Sequence, residues 1–357
     1  MFPVIPMFAV GILFHSVGAM LSANCYTPQK YIRRWSWETF WLTQAAWCWF
    51  LWPIIGAVCT IPKIGQVVAE SPKGPMLIAF LMGMAYGIGG TAFNISIRYI
   101  GFSLTYAIAV GLSSVIKTFV TPLVQGKLGE IVAKTGSCWV MIGVGLGVLG
   151  IAVCGMAGRF KENDLRRQLG SSGEFSMFKG LMLSLVAGVL SAVYGLAMED
   201  VCKPIVDVAA LHGAGFWRGN IAYPFVNTGT FVTVLIYTGY LFWRNRSLGQ
   251  LTHLAEGSGR ASLWLNYILA MLTGTLWYGQ FFFYNLGHVR MGEYEFTSWA
   301  IHMILLVLFS NLVALLFREW KGCRPLTRWA IALGLGLLTA AILLMSYGNY
   351  LGDPLNS

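Results

Sequence analysis

Charge is scarce in this 357-residue sequence: Asp, Glu, Lys and Arg together make up 11% of it, against 57% hydrophobic residues. A water-soluble surface needs charge on about a quarter of its residues, so a soluble globular protein is excluded before any motif is read. Clustered ligands and nucleophiles are missing as well. The five histidines, at 15, 212, 253, 288 and 302, form no HxxxH or HExxH pair, and no DxD, GxSxG or P-loop occurs. A membrane-embedded hydrolase or glycosyltransferase builds its metal site or nucleophile from such clusters. Catalysis therefore ranks well below transport, and neither a metal nor a cofactor is expected. The seven cysteines (25, 48, 59, 138, 154, 202 and 323) show no CxxC spacing and fall mostly in apolar stretches. They read as packing residues rather than a disulfide or metal framework.

What the sequence has in quantity is apolar runs of about 20 residues, each enough to cross a hydrocarbon layer ~30 Å thick. Ten spans are predicted, at 5–25, 38–61, 76–99, 102–124, 137–157, 179–201, 217–243, 262–287, 295–317 and 328–349. The first has no basic residue before it and reads as a retained span rather than a signal peptide. The formal charge of +10 is distributed unevenly. Sixteen of the 24 lysines and arginines lie at the loops after odd-numbered spans and seven at those after even-numbered ones. That is the positive-inside pattern. It places the odd loops in the cytoplasm and both termini outside it, and makes the basic surplus a topology signal rather than a nucleic-acid site.

The longest hydrophilic stretch, RFKENDLRRQLGSSGEFSMFK from Arg159 to Lys179, leaves five spans on each side. The halves echo each other. FNISIRYIGFSLTYAI (Phe93 to Ile108) and YNLGHVRMGEYEFTSWAI (Tyr284 to Ile301) each run aromatic–Asn, Arg, Gly, then aromatic or Thr residues, and end in Ala-Ile. An odd number of spans per repeat turns the second copy upside-down, as in many secondary transporters. The expected fold is an all-α integral membrane protein with ten transmembrane helices as a five-plus-five inverted repeat. Residues 1–157 would form the first repeat, 158–178 a cytoplasmic linker and 179–357 the second repeat. The GLGVLG run from Gly145 to Gly150 matches a dinucleotide pattern but sits inside a span without a βαβ context. It reads as close helix packing through small residues.

Ionisable groups within spans are expensive, about 2.5–3.5 kcal/mol even on lenient insertion scales, so they tend to face a cavity or a partner. His15, Lys117 and His302 lie within spans; Glu38, Glu199 and Glu295 lie near span ends. Any one of them alone reads as readily as an interhelical hydrogen bond; together they suggest a polar path. His302 follows Glu295 by seven residues, two turns along one helix face. In LWYGQFFFYNLGHVR (Leu276 to Arg290), Trp277, Gln280, Tyr284 and His288 fall on one helical stripe. A ring beside an amide and a phenol suits a neutral polyhydroxylated ligand, because a sugar offers apolar C–H faces and hydroxyl edges together. An anionic substrate would call for an arginine clamp, and Arg290 lies past the span's end.

GILFHSVGA around His15, WSWETFW (Trp35 to Trp41), RYIG (Arg98 to Gly101) and WYGQFFFYNLGHVRMGEYEFTSWAIHM (Trp277 to Met303) resemble the L-rhamnose–proton symporter family of the drug/metabolite transporter superfamily. The resemblance runs from His15 to the REW at Arg318. It implies a ten-helix inverted-repeat fold and proton-driven uptake of a neutral deoxy-sugar across a bacterial inner membrane, with sugar, proton and lipid bilayer as the partners. Two departures from the family pattern stand out: Lys117 replaces a small residue, and Glu199-Asp200 an uncharged pair. Relatives in the superfamily are commonly drawn with both termini inside, opposite to the charge count, which is followed here. The expected sugar-binding residues are Trp277, Gln280, Tyr284, His288, Asn94 and Trp299. The expected proton-coupling residues are Glu295 and His302, then His15 and Glu38, with Lys117 as a resident counter-charge. The rival readings are an exporter of small metabolites or drugs on the same fold and a non-transporting membrane sugar sensor.

Overall fold

The protein is seen in a computed structural model that describes residues 6–169, 176–253 and 260–352. Helix is the only regular structure among them. The long helices are α1 (Met7–Asn24), α2 (Trp37–Ala45, a π turn over Ala46–Leu51, then Trp52–Thr60) and α3 (Lys73–Ile100). Next come α4 (Phe102–Val115, a π turn over Ile116–Val120, then Thr121–Val124), α5 (Ser137–Leu169) and α6 (Met177–Leu196, with a π turn over Ala197–Val201). The last four are α7 (Ala222–Asn245), α8 (Arg260–His288), α9 (Ser298–Leu316) and α10 (Pro325–Leu351). Each predicted span falls on one of these. Among the described residues nine helices are long and apolar enough to cross a membrane. α8 falls below that apolarity because Asn266, Gln280, Asn285, two threonines and several aromatic rings dilute it.

Proline explains the π turns. Pro53, Pro122 and Pro204 each lie two or three residues past one of them. A proline has no N–H for the carbonyl four residues earlier, and a locally wider turn absorbs the mismatch.

The polar stretch after span 5 differs from expectation. α5 does not stop near residue 157 but continues to Leu169. No glycine or proline occurs from Arg159 to Leu169, so nothing breaks the helix. Asp164, buried, accepts bonds from the Arg324 backbone N–H (3.1 Å), the Arg324 Nε (2.5 Å) and the Thr327 hydroxyl (2.7 Å) at the start of α10. Residues 170–175 of the expected linker, and the chain ends 1–5 and 353–357, lie outside the described residues.

The chain divides into two compact units. The first comprises residues through Ala23, Gly89–Gly195 and those from Leu286 on; the second comprises Asn24–Ile88 and Leu196–Asn285. In the first, α5 packs along α10 and against α4 and α9. A Cβ on Gly147 would lie 2.2 Å from Ile304, and one on Gly150 2.8 Å from Leu338. The GLGVLG run is thus a packing face, as expected, with Gly145 outside the contact. Ser96 ties three helices together: its hydroxyl meets Thr105 at 3.0 Å, Ser184 at 2.8 Å and the Gly180 carbonyl at 2.8 Å. In the second unit α3 and α7 touch backbone to backbone, since a Cβ on Gly83 would meet the Val226 carbonyl at 1.8 Å and one on Gly229 the Phe80 carbonyl at 2.0 Å.

Candidate functional site

Within the second unit, Trp277 of α8 sits among aromatic edges. Its ring lies 5.3 Å from Tyr26, 5.7 Å from Trp41 and 5.6 Å from Trp49, each near perpendicular. Trp49, in the π turn of α2, also meets Tyr86 at 5.7 Å and Phe281 at 5.5 Å. Edge-to-face packing favours defined ring orientations, and the buried Trp41 and Trp49 pack against Trp277 in this way. The π turn seats against α8 where a glycine allows it: a Cβ on Gly274 would lie 2.6 Å from the Gln44 carbonyl and 2.7 Å from Trp47.

The polar groups of α8 divide their duties. Asn266 exchanges two bonds with the Arg33 backbone, at 2.8 and 3.2 Å. Asn285 donates to Asn220 (3.2 Å), which donates to Thr60 (3.0 Å), an interhelical chain. Tyr284 donates its hydroxyl proton to the carboxylate of Glu199 in the π turn after α6. Tyr223 in turn bonds the carbonyl of Phe281. Gln280 is 6% exposed, and its amide takes no hydrogen bond among the described residues. Gln44 on α2 is fully buried, with both amide atoms likewise unpartnered. An unsatisfied buried amide costs about 1–3 kcal/mol, so that of Gln44, one turn from Trp41, together with the Gln280 amide one turn from Trp277, marks a place for a polar ligand or water.

Glu38, expected as a reserve coupling group, has a different surrounding. It is buried and accepts from Ser247 at 2.5 Å and Asn245 at 3.0 Å. Beside it the Gln250 side chain takes bonds from the Ser36 N–H (2.6 Å) and the Thr39 hydroxyl (3.1 Å), and Trp35 donates to the Gln250 carbonyl (3.1 Å). The WSWET motif therefore anchors the start of α2 to the turn after α7.

The first unit holds His15, His288 and His302. His15 of α1 and His302 of α9 are both buried, with ring centroids 5.8 Å apart. α1 passes close to the end of α8 there: a Cβ on Gly287 would lie 2.8 Å from the Gly11 carbonyl and 2.9 Å from His15 Nε2. Trp299, one turn before His302, donates to Ser113 of α4 (2.9 Å), which donates to Ser191 of α6 (3.2 Å). Lys117, one turn beyond Ser113, is buried in the π turn of α4. Glu295 is not two turns back along the same α-helix. It occupies a 3₁₀ turn, Gly292–Thr297, ahead of α9, and is half-buried. Three residues per turn instead of 3.6 take it off the face predicted for it.

Of the expected sugar residues, Trp277, Gln280 and Tyr284 belong to the second unit, and His288, Asn94 and Trp299 to the first. Asn94 spends an amide proton on the Gly90 carbonyl of its own helix (2.9 Å), and His288 is half-buried at the end of α8. From the sequence, Glu199 stands out as an acid near a span end and as part of the Glu199-Asp200 departure from the family pattern, without a role in sugar binding or coupling. Gln44, Trp41 and Trp49 were missed, although an amide in mid-span is the same signal that drew attention to Gln280.

Helices of this length and apolarity, with buried amides and imidazoles held inside them, define a polytopic membrane protein built around internal polar sites. Comparison with known sequences makes the class specific. The chain belongs to the L-rhamnose-proton symport protein (RhaT) family, whose model matches residues 5–349. It is 34% identical over 345 residues to the L-rhamnose-proton symporter of Cronobacter sakazakii (strain ATCC BAA-894), covering 95% of this chain and 97% of that protein. It is 32% identical over 343 residues to the L-rhamnose-proton symporters of Yersinia pestis (strain Pestoides F) and Yersinia pseudotuberculosis serotype O:1b (strain IP 31758), covering 92% of this chain and 98% of each.

Proposed function

We propose that the protein is a secondary transporter of the bacterial inner membrane that takes up a neutral deoxy-sugar such as L-rhamnose together with a proton. The observation that carries the substrate class is the second-unit cluster: rings of Trp277, Trp41 and Trp49 beside the unpartnered amides of Gln280 and Gln44. A sugar's C–H faces lie on rings and its hydroxyls both donate to and accept from an amide. The names of the relatives agree with it. For the proton we propose His302 with His15, two imidazoles near enough to share one charge but not to hold two. Glu295 and Lys117 keep their proposed places as second acceptor and resident counter-charge. Glu38, engaged by Ser247 and Asn245, serves better as an anchor.

Binding tests the substrate class apart from transport. In detergent, L-rhamnose should quench or shift the tryptophan fluorescence saturably, while a sugar phosphate should not. Saturable binding of anionic metabolites and none of neutral sugars would overturn the assignment.

A further inference from the structure

We propose that one end of the second unit is a docking surface for the headgroup of an anionic phospholipid, held by Arg33, Arg244 and Arg246. The inference is independent of what the protein transports. Three segments meet at this end: the turn after α1, the end of α7 with the turn beyond it, and the start of α8. Asn266 of α8 holds the Arg33 backbone at both its N–H and its carbonyl (3.2 and 2.8 Å). Asn245 of α7 donates to Glu38 (3.0 Å), and Tyr267 bonds the Leu251 carbonyl while packing against Trp35 at 5.0 Å. The two turns are therefore tied to one another and to α8.

Arg33, Arg244 and Arg246 are exposed, and their guanidinium groups take no hydrogen bond or ion pair among the described residues. Glu38 is the one acid in the described parts of these segments, and it is buried against Ser247 and Asn245. The first unit differs. There Lys161 meets Glu319 (3.0 Å), Arg324 meets Asp164 (2.5 Å) and Arg328 bonds the Cys323 carbonyl (3.0 Å), so these cations are spent on the protein itself. Arg246 caps α7 at φ +53° and ψ 35°, a left-handed conformation that glycine or asparagine adopts at less cost. A cation is kept where backbone geometry alone would favour glycine.

The rings nearby indicate what these cations face. Trp243, directly before Arg244, is 79% exposed, and Trp264, two residues before Asn266, is 66% exposed. In a membrane-spanning protein, exposed tryptophans at helix ends lie at the level of the headgroups. Arg244 follows one of these rings and Arg33 is bonded to the helix turn of the other, so both stand near the lipid phosphates. A guanidinium forks onto phosphate oxygens, and cations at this depth add affinity for anionic lipid. A zwitterionic headgroup brings its own cation to the same phosphate and gains less. A soluble anion meets the charge but has no acyl chain to lay against the exposed rings.

The test uses the full-length protein in detergent, titrated with dioleoylphosphatidylglycerol, dioleoylphosphatidylcholine or inorganic phosphate. Bound lipid is counted by native mass spectrometry and the melting temperature is followed. The anionic lipid should bind about tenfold or more tighter than the zwitterionic one and raise the melting temperature; inorganic phosphate at the same concentration should not raise it. Arg33→Gln/Arg244→Gln/Arg246→Gly should lower the lipid preference to about threefold or less. Arg318→Gly/Lys321→Gln, which removes two exposed cations beside Glu319 after α9, should keep it. A wild type without preference, a preference undiminished in the triple variant, or an equal loss in the α9 pair would overturn the inference. Stabilisation by inorganic phosphate equal to that by lipid would overturn it too, since the surface would then take an anion without a lipid. If the triple variant does not fold, Arg246→Gly decides alone, because glycine takes that backbone without strain. It should weaken the preference about twofold or more, and an unchanged preference would overturn the inference.

Discussion

Within two turns of α8, Gln280, Tyr284 and Asn285 do three different things. Asn285 is a helix-to-helix tie through Asn220 to Thr60, Tyr284 is bound to Glu199, and Gln280 takes no hydrogen bond among the described residues. The free amide is the one to test first. Gln280→Ala should weaken sugar binding about tenfold, the loss of one or two hydrogen bonds worth ~1–1.5 kcal/mol, with the melting temperature unchanged or slightly raised; unchanged affinity would remove Gln280 from the site. Asn285→Ala should do the reverse, lowering stability more than affinity, as a thermal melt beside a binding titration would show. For the proton, His302→Gln should abolish uphill accumulation while exchange of labelled for unlabelled sugar continues. Retained accumulation in both His302→Gln and His15→Gln would shift the coupling role to Glu295. At this scale the sequence was readable where spacing alone decides, as in the Trp277–Gln280–Tyr284 stripe. It was silent on partners: that Glu199 meets Tyr284, or that Ser247 meets Glu38, depends on helices 85 and 209 residues apart in sequence.

Helix by helix, apolar length predicted nearly everything, because a span of about 20 apolar residues has little choice in lipid but to be helical. Two features escaped that logic. The π turns before Pro53, Pro122 and Pro204 could have been anticipated from the prolines, and they hold Trp49 and Lys117 at buried positions and Glu199 at a half-buried one, in a register that a regular helix would rotate. The extension of α5 to Leu169 was hidden because its residues are charged, which argues against lipid but not against helix. The junction of α3 and α4 shows how narrowly such turns are specified. Gly101 has φ +83° and ψ 164°, a region open to glycine alone, and a Cβ there would lie 2.0 Å from the Glu162 carboxylate. Gly101→Ala should therefore cost roughly 1–3 kcal/mol of backbone strain beyond the clash, seen as a lower melting temperature in detergent. A variant as stable as wild type would show that the turn relaxes freely.

For the molecule as a whole, the composition of the two units bears on the proposed repeat. Numbered in two fives, α2 and α7 fall in the second unit together with most of α3 and α8; α1 and α6, α4 and α9, and α5 and α10 lie wholly or mostly in the first. A division at 1–157 and 179–357, with one copy inverted, would distribute its spans in this way, and we retain it as a proposal. We propose the orientation from charge alone: the basic surplus after odd spans would put Ser357 outside the cytoplasm. A phosphatase fused there should be active and a fluorescent protein dark; the opposite pair of results would place the termini inside.

The central claim is proton-driven sugar uptake, and reconstituted transport tests it most directly. Proteoliposomes with a neutral interior, diluted into acidic buffer containing labelled L-rhamnose, should accumulate the sugar above its external concentration. A protonophore should collapse that accumulation to the level of equilibration. Failure to accumulate any deoxy-sugar or pentose, or accumulation that a protonophore leaves untouched, would contradict the account.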